Sequence, residues 1–307
     1  MRPTFVDEVT KLASEDKNVW LVTADLGFAV FEDFRDKFPD QFLNVGVAEQ
    51  NLISVAAGLA MAGKKVFTYS ISTFVAMRPY EQIRNDICYQ NLPVCIVGGG
   101  SAFSYSTFGC THFALEDVAL MRILPNMVVA VPGDPAEVRA IVRGVYARNG
   151  PSYIRIAKRG EPVVNSVNAE IVLGRSIEIR TGNDVAILVC GRQLPNAIEA
   201  ASMLGKLKIG CRVLSFHTVK PLDKSAILKA ARETRGLVTV EEHFLAGGFG
   251  SAVAEILADS NMSIPFVRMG VTDEFPMGVG SQNYFLGRYG LTPEGIVETV
   301  SALLNKK

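Results

Sequence analysis

The sequence is poor in the residues that many cofactor chemistries require. It has three histidines and five cysteines in 307 residues, with no CxxC pair and no zinc-type spacing. Any metal would have to be held mostly by oxygen. The cysteines (Cys88, Cys95, Cys110, Cys190 and Cys211) are odd in number, and all but Cys110 lie in apolar strand-like or helical runs. They read as reduced core residues, not as a disulfide framework. Net charge is also missing, since 31 basic residues balance 31 acidic ones. No basic surface therefore argues for nucleic acid or an anionic membrane. No apolar run approaches the roughly 18 to 20 residues of a membrane span. The start, MRPTFVDEVTKLASEDK, reads as an amphipathic helix carrying acids and not as a secretory signal, so a cytoplasmic location is expected. There is no Walker pattern, no GxGxxG, no low-complexity segment and no short-period repeat.

What is present is an ordinary globular composition, 49% apolar and 20% charged, in a chain too long for one small core. Helical patterns alternate with short β-branched runs. In the first half, helices are expected at 5–12, 31–37, 49–62, 79–87, 116–121 and 135–148, and strands at 19–23, 42–45, 66–69, 94–97, 127–131 and 153–156. Gly, Pro and Asn break the rhythm in KRGEPVVNSVNAEIVL, Lys158 to Leu173, and alternation then resumes. The second half is read as strands at 185–190, 212–216, 237–241 and 266–268, with helices at 195–207, 224–234, 250–258 and 293–304. This alternation predicts an α/β protein of two consecutive domains with mainly parallel sheets. The first domain is expected at 1–160, a linker at 161–174 and the second domain at 175–307.

Ligands of parallel sheets sit at the carboxyl ends of the strands. The polar or glycine-rich loops fall at those ends: Asp25-Leu26-Gly27, Gly46 to Glu49, Ser70 to Phe74 and Gly98 to His112. Together they predict one crevice. Glu49 opens a nearly all-apolar helix, LISVAAGLAMAG, and has two readings. It complements the helix dipole, worth up to about 1 kcal/mol, or it exchanges a proton or hydrogen bond with a ligand in a dry crevice. His112 is either a satisfied core histidine or an acid or base at the crevice edge. Phe74, Met77 and Tyr80 form an apolar stripe, read as core or as a wall for a flat aromatic ligand.

These residues carry a resemblance. ADLG at 24–27, GVAEQN at 46–51, STF at 72–74 and THFALEDVALMRILPNM at 111–127 resemble the transketolase family, supported by FHTVKPLD at 216–223 and VEEHFLAGGFGSAVAE at 240–255. The order of the motifs is that of a transketolase C-terminal half, a thiamine diphosphate pyrimidine-binding domain followed by the C-terminal domain. The resemblance implies that Glu49 bonds N1′ of the thiamine aminopyrimidine and favours the imino tautomer, whose 4′ nitrogen removes the thiazolium C2 proton. That role asks for a proton-sharing carboxyl, so a raised pKa is expected, with desolvation outweighing the helix N-terminus. By the same resemblance Phe74, Met77 and Tyr80 line the pyrimidine pocket, with Phe74 stacking on the ring. Met77 departs from the aromatic usual there. Asp25 and Leu26 are expected at the neighbouring face of the cofactor.

The family holds the diphosphate and Mg²⁺ through a GDG motif and a later Asn in a separate domain. This chain has no GDG, and Gly133-Asp134 runs into Pro135. The resemblance therefore implies a split transketolase whose metal ligands lie on an N-terminal partner subunit, in an α2β2 heterotetramer acting on small sugars. No metal ligand is assigned to this chain. The transferred group would be a two-carbon ketol unit, moved from a phosphorylated or otherwise modified ketose to an aldose. His112 matches the family histidine that contacts substrate, but Phe108 replaces an aspartate that reads a sugar hydroxyl, and Gly100 replaces a second histidine. Arg2, Arg155, Lys158 and Arg159 fall near positions where the family binds phosphate, and each is read either as a substrate cation or as a solvated one. The alternatives are the β subunit of a 2-oxo acid dehydrogenase, told apart by activity with 2-oxo acids and a lipoyl acceptor, and a non-catalytic transketolase-like paralogue. A synthase of the 1-deoxyxylulose phosphate type fits less well, because such enzymes carry all three domains in one chain.

Overall fold

The computed structural model describes residues 1–27, 29–158, 160–165 and 170–305. Arg159 and residues 166–169 of the expected linker lie outside the described residues. The chain forms two α/β layers. The strands, in order, are β1 (Val19–Thr23), β2 (Phe42–Asn44), β3 (Lys65–Ile71), β4 (Val94–Gly99), β5 (Val128–Ala130) and β6 (Ser152–Ile156), then β7 (Ile177–Arg180), β8 (Val185–Val189), β9 (Cys211–Ser215), β10 (Thr218–Lys220), β11 (Leu237–Phe244) and β12 (Phe266–Val271). A seven-stranded sheet has the order β10-β5-β6-β4-β3-β1-β2, and a five-stranded sheet the order β12-β11-β8-β9-β7. All pairings are parallel except those of the edge strands β10 and β7.

The central strands are apolar because both of their faces are covered. β4 and β6 are buried along their whole lengths, and β8 is too. The helix Glu49–Met61 buries Leu52, Ile53, Ala56, Ala57 and Ala60 against the first sheet. Each fully buried Leu or Ile contributes about 1.5–3 kcal/mol, while the alanines let helix and sheet approach closely.

Three features differ from the sequence reading. The helix expected at 79–87 starts earlier, as Ser72–Met77, and is interrupted at Pro79, which lacks the N–H that would continue it. It resumes as Tyr80–Gln82 and runs into a π-turn, Ile83–Cys88. The short strands β7 and β10 and the helix Gln282–Arg288 have no counterpart among the elements expected from sequence. β10 belongs to the second half of the chain yet extends the first sheet, pairing antiparallel with β5. The two domains therefore share a sheet edge across the boundary drawn at 161–174.

The seam between them is polar and closed. Asp134 caps the helix Pro135–Ala147 through Glu137 N at 2.8 Å and accepts Val164 N and Asn165 N from the connecting segment. Glu137, buried beside it, accepts Ser215 Oγ at 2.6 Å and Asn165 Nδ2 at 3.2 Å. Gly133 packs against Gly191 O and Leu194, where a Cβ would come within 2.9 Å of both.

Burial pushes Glu137 up to about 7 and pushes buried His217 down to about 4. The raised carboxyl binds a proton in the fold that the open chain gives up, so its contribution is full at acid pH and is lost as pH rises through about 7. The depressed imidazole works the other way, and its contribution is lost as pH falls from about 6.5 towards about 4. The two slopes oppose each other between these limits. Glu137→Gln should remove one of them, so that denaturation free energy rises with pH over this window more steeply than in the wild type. Parallel curves for the two proteins would show that Glu137 titrates as in the unfolded chain.

Candidate active site

The helix Glu49–Met61, the carboxyl end of β3 and the loop after β4 meet in one side-chain cluster, with the carboxyl end of β1 on a neighbouring cavity, and the local sequence explains how. Gly46 turns the chain with φ +78°, and Ala48, the residue before the helix Glu49–Met61, offers no side-chain cap. The first-turn N–H groups of that helix are thus left to attract negative charge. Glu49 is only 3% exposed, and its carboxylate is compensated by two side chains. Ser70 Oγ, at the end of β3, donates to Oε1 at 3.2 Å, and Arg78 Nη1 donates to Oε2 at 2.7 Å. A carboxylate buried without such partners would cost several kcal/mol.

The helix Ser72–Met77 directly follows β3 and carries the aromatic wall. Ser72 Oγ donates to Gly100 O at 2.6 Å, fastening this helix to the end of β4. A Cβ on Gly98 would lie 2.6 Å from both Ser72 Oγ and Tyr153 Oη, so this close approach requires glycine. The Phe74 ring is covered by the Arg78 guanidinium, 4.2 Å from its centroid, and meets the His112 ring edge-on at 5.1 Å. Phe108 packs on His112 at 5.0 Å, and Tyr105 lies 6.5 Å away. Thr111 Oγ1 pairs with His112 Nδ1 at 3.0 Å, which leaves Nε2 available.

The structure thus brings Glu49, Phe74, His112 and Phe108 into one connected cluster, with Arg78 bridging the carboxylate and the ring. Met77 is partly exposed on the same helix. Tyr80 donates its hydroxyl to Leu120 O at 2.9 Å, and its partly buried ring packs on the core. Asp25 and Leu26 line a neighbouring cavity of about 320 Å³ with Thr23, Phe31 and Asn44. Asn44 ties this cavity to the Glu49 loop, since its Oδ1 accepts both Asp25 N and Gly46 N at 3.0 Å.

The cations separate. Arg155 is buried, donating to Asp117 Oδ1 at 3.0 Å and to Ala114 O, while Tyr153 Oη donates to Asp117 Oδ2 at 2.5 Å. That guanidinium is held inside the fold by Asp117 and Ala114, with its Nε left without a partner. Arg2 lies beside Tyr69 and Tyr105, where its charge acts against the burial that pushes Tyr69 up to about 12. Lys158 Nζ sits 4.7 Å over the Tyr105 ring. Arg159 lies outside the described residues.

Sequence reasoning missed Ser70, Arg78, Asn44 and Asp117. Arg78 was legible in part, because it stands four residues after Phe74 and so shares its helical face. Asn44 and Ser70 depend on strand ends meeting across the sheet, and Asp117 on the helix Asp117–Arg122 packing on β6. Among the described residues, no three His, Cys, Asp or Glu side chains come together as a metal-holding group.

Comparison with known proteins extends this geometry. Residues 1–161 match the transketolase pyrimidine binding domain, and residues 174–296 match the transketolase C-terminal domain. The chain is 38% identical to a 6-deoxy-6-sulfo-D-fructose transketolase subunit of a Clostridium species, covering 100% of this chain and 95% of that protein. It is 35% identical to an apulose-4-phosphate transketolase subunit of Phocaeicola vulgatus, covering 99% and 97%. A solved split-gene transketolase, an inactive β4 tetramer, superposes with a TM-score of 0.90 at 39% identity, covering 99% of this chain and 97% of that one.

Asp117→Asn should leave Arg155 buried without its counter-charge and cost about 3 kcal/mol or more. Chemical denaturation should show the loss directly, and an unchanged midpoint would mean that Arg155 does not depend on Asp117.

Proposed function

The chain belongs to the transketolase family, and on that premise we propose that it is the C-terminal subunit of a split, thiamine diphosphate-dependent transketolase. It moves a two-carbon ketol unit from a ketose to an aldose. The observation that carries this reading is a buried carboxylate, Glu49, joined through Arg78 to a flat aromatic side chain, Phe74, beside an imidazole, His112. A dry carboxyl next to a flat ring suits the ring nitrogen and the face of an aminopyrimidine. Thiamine diphosphate, when bound, supplies a carbon that takes up and releases the two-carbon unit.

The chain's own residues have separable tasks in this reading. Glu49 holds the aminopyrimidine nitrogen and shares its proton, while Ser70 keeps the carboxyl oriented. Phe74 and Met77 flank the ring, Tyr80 supports the wall from behind through Leu120, and Asp25 and Leu26 close the β1 side. His112, fixed at Nδ1 by Thr111, serves substrate oxygen through Nε2. Arg2 and Lys158 bracket Tyr105 and would take an anionic end of the sugar. Phe108 puts an exposed aromatic ring beside His112, so the reading favours a modified sugar over a fully hydroxylated one.

Magnesium and the diphosphate belong, in this proposal, to an N-terminal partner subunit. One observation supports it: Leu43 on β2, Val47, Met77 and Phe108 are exposed apolar side chains around the Glu49 cluster, a surface suited to burial under a second subunit. The assembly proposed is α2β2. The domain division at 1–160, 161–174 and 175–307 is supported by family matches at 1–161 and 174–296. A cytoplasmic location is supported by five free cysteines. Among the described residues, no helix is long and apolar enough to cross a membrane.

Co-expression with the N-terminal subunit should give ketol transfer from a ketose phosphate or sulfonate. Glu49→Gln should lower kcat by about 10²-fold or more with the complex still assembled. Full activity of that variant would overturn the assignment. Phe108→Asp should shift the ratio of kcat/KM towards hydroxyl-bearing aldoses over their deoxy analogues by about tenfold. An unchanged ratio would remove Phe108 from substrate selection.

A further inference from the structure

We infer that Arg78 is an internal competitor for the cofactor's aminopyrimidine, a latch that closes the Glu49 site and has to leave it for the ring to enter. The inference rests on the thiamine reading above and adds a residue to which that reading gave no role. Arg78 holds both groups that the reading assigns to the ring. Its Nη1 lies 2.7 Å from Glu49 Oε2, and its Cζ lies 4.2 Å over the face of Phe74. His112 also meets Phe74, at 5.1 Å and 69°. A planar guanidinium on a carboxylate and an aromatic face has the same two contacts that an aminopyrimidine would make. Both cannot occupy the place at once.

The surroundings allow such an exchange. The Arg78 side chain is 49% exposed while that of Glu49 is 2% exposed, so the arginine can swing into water without leaving a cavity behind. Its backbone is anchored, with Arg78 N donating to Phe74 O at 3.1 Å and Gln50 Nε2 donating to Arg78 O at 3.3 Å. Only the side chain needs to move. Ser70 remains on Oε1 at 3.2 Å, so the carboxylate keeps a donor while Oε2 changes partner. Positive charge near Glu49 offsets its burial until a ligand takes over, which gives the latch a function in the subunit before cofactor is acquired.

The test is calorimetric titration of thiamine diphosphate, at fixed saturating Mg²⁺, into the complex with the N-terminal subunit. Four forms are compared: wild type, Arg78→Met, Glu49→Gln and the double variant. Arg78→Met should bind the cofactor about three- to tenfold more tightly, the scale of a half-exposed ion pair together with a cation–π contact. In the Glu49→Gln background that gain should shrink, because the latch acts through the carboxylate. Arg78→Lys, which keeps the charge without the planar stack, should fall between wild type and Arg78→Met and carries the comparison if Arg78→Met does not assemble. Equal or weaker binding by the arginine variants, or an undiminished gain without Glu49, would overturn the latch. No binding by the assembled wild type would overturn the thiamine reading itself, and the latch with it.

Discussion

A carboxylate can be kept at the mouth of a buried helix only if something answers its charge, and the first domain is built around meeting that need for Glu49. The uncapped first turn, Ser70 at the end of β3 and Arg78 from the next helix converge on it. The partners come from different parts of the sequence, so the site exists only when the helix Glu49–Met61 packs beside the end of β3 and the helix that follows it. The alanine-rich helix behind Glu49 and the glycines at the end of β4 follow from the same demand, because only small residues let helix, sheet and loop come close enough.

Among the described residues, the second domain has none in the Glu49 cluster, yet it braces the loop that carries His112. Phe103 stacks on Phe285 at 5.1 Å and on Tyr289 at 5.9 Å, and Phe113 meets Phe285 at 5.0 Å. Gly280 N donates to Ser106 O at 3.3 Å. On the opposite side of the seam, β10 extends the first sheet and Lys220 Nζ donates to Arg122 O at 2.9 Å. A loop of short turns would have few buried contacts of its own. Here it is clamped between two cores, which gives the second domain a positioning role.

Much of this was legible in the sequence for a simple reason. Long apolar runs such as those of β3, β4, β8 and the helix Glu49–Met61 carry their own periodicity, and the loops that follow parallel strands have to lie at one end of the sheet. The placement of Glu49 beside Phe74 and His112 followed from that rule and from the family resemblance. What escaped was decided by tertiary contact. β7 and β10 are three or four residues long and show no pattern. Arg155 reads like any cation in sequence, but in the fold it is neutralised by Asp117, 38 positions away. The hydrogen bond of Tyr80 Oη to Leu120 O, 40 positions away, likewise left no trace in the spacing.

The central claim is that this chain supplies half of an active site: a pyrimidine-binding crevice without the means to hold diphosphate and metal. The most direct measurement is titration of thiamine diphosphate with Mg²⁺ into the chain alone, and then into the chain assembled with a subunit carrying the GDG motif. Saturable binding confined to the assembled form is the expected result. Tight, Mg²⁺-dependent binding by the isolated chain would contradict the claim, because the diphosphate would then be held by residues of this chain itself.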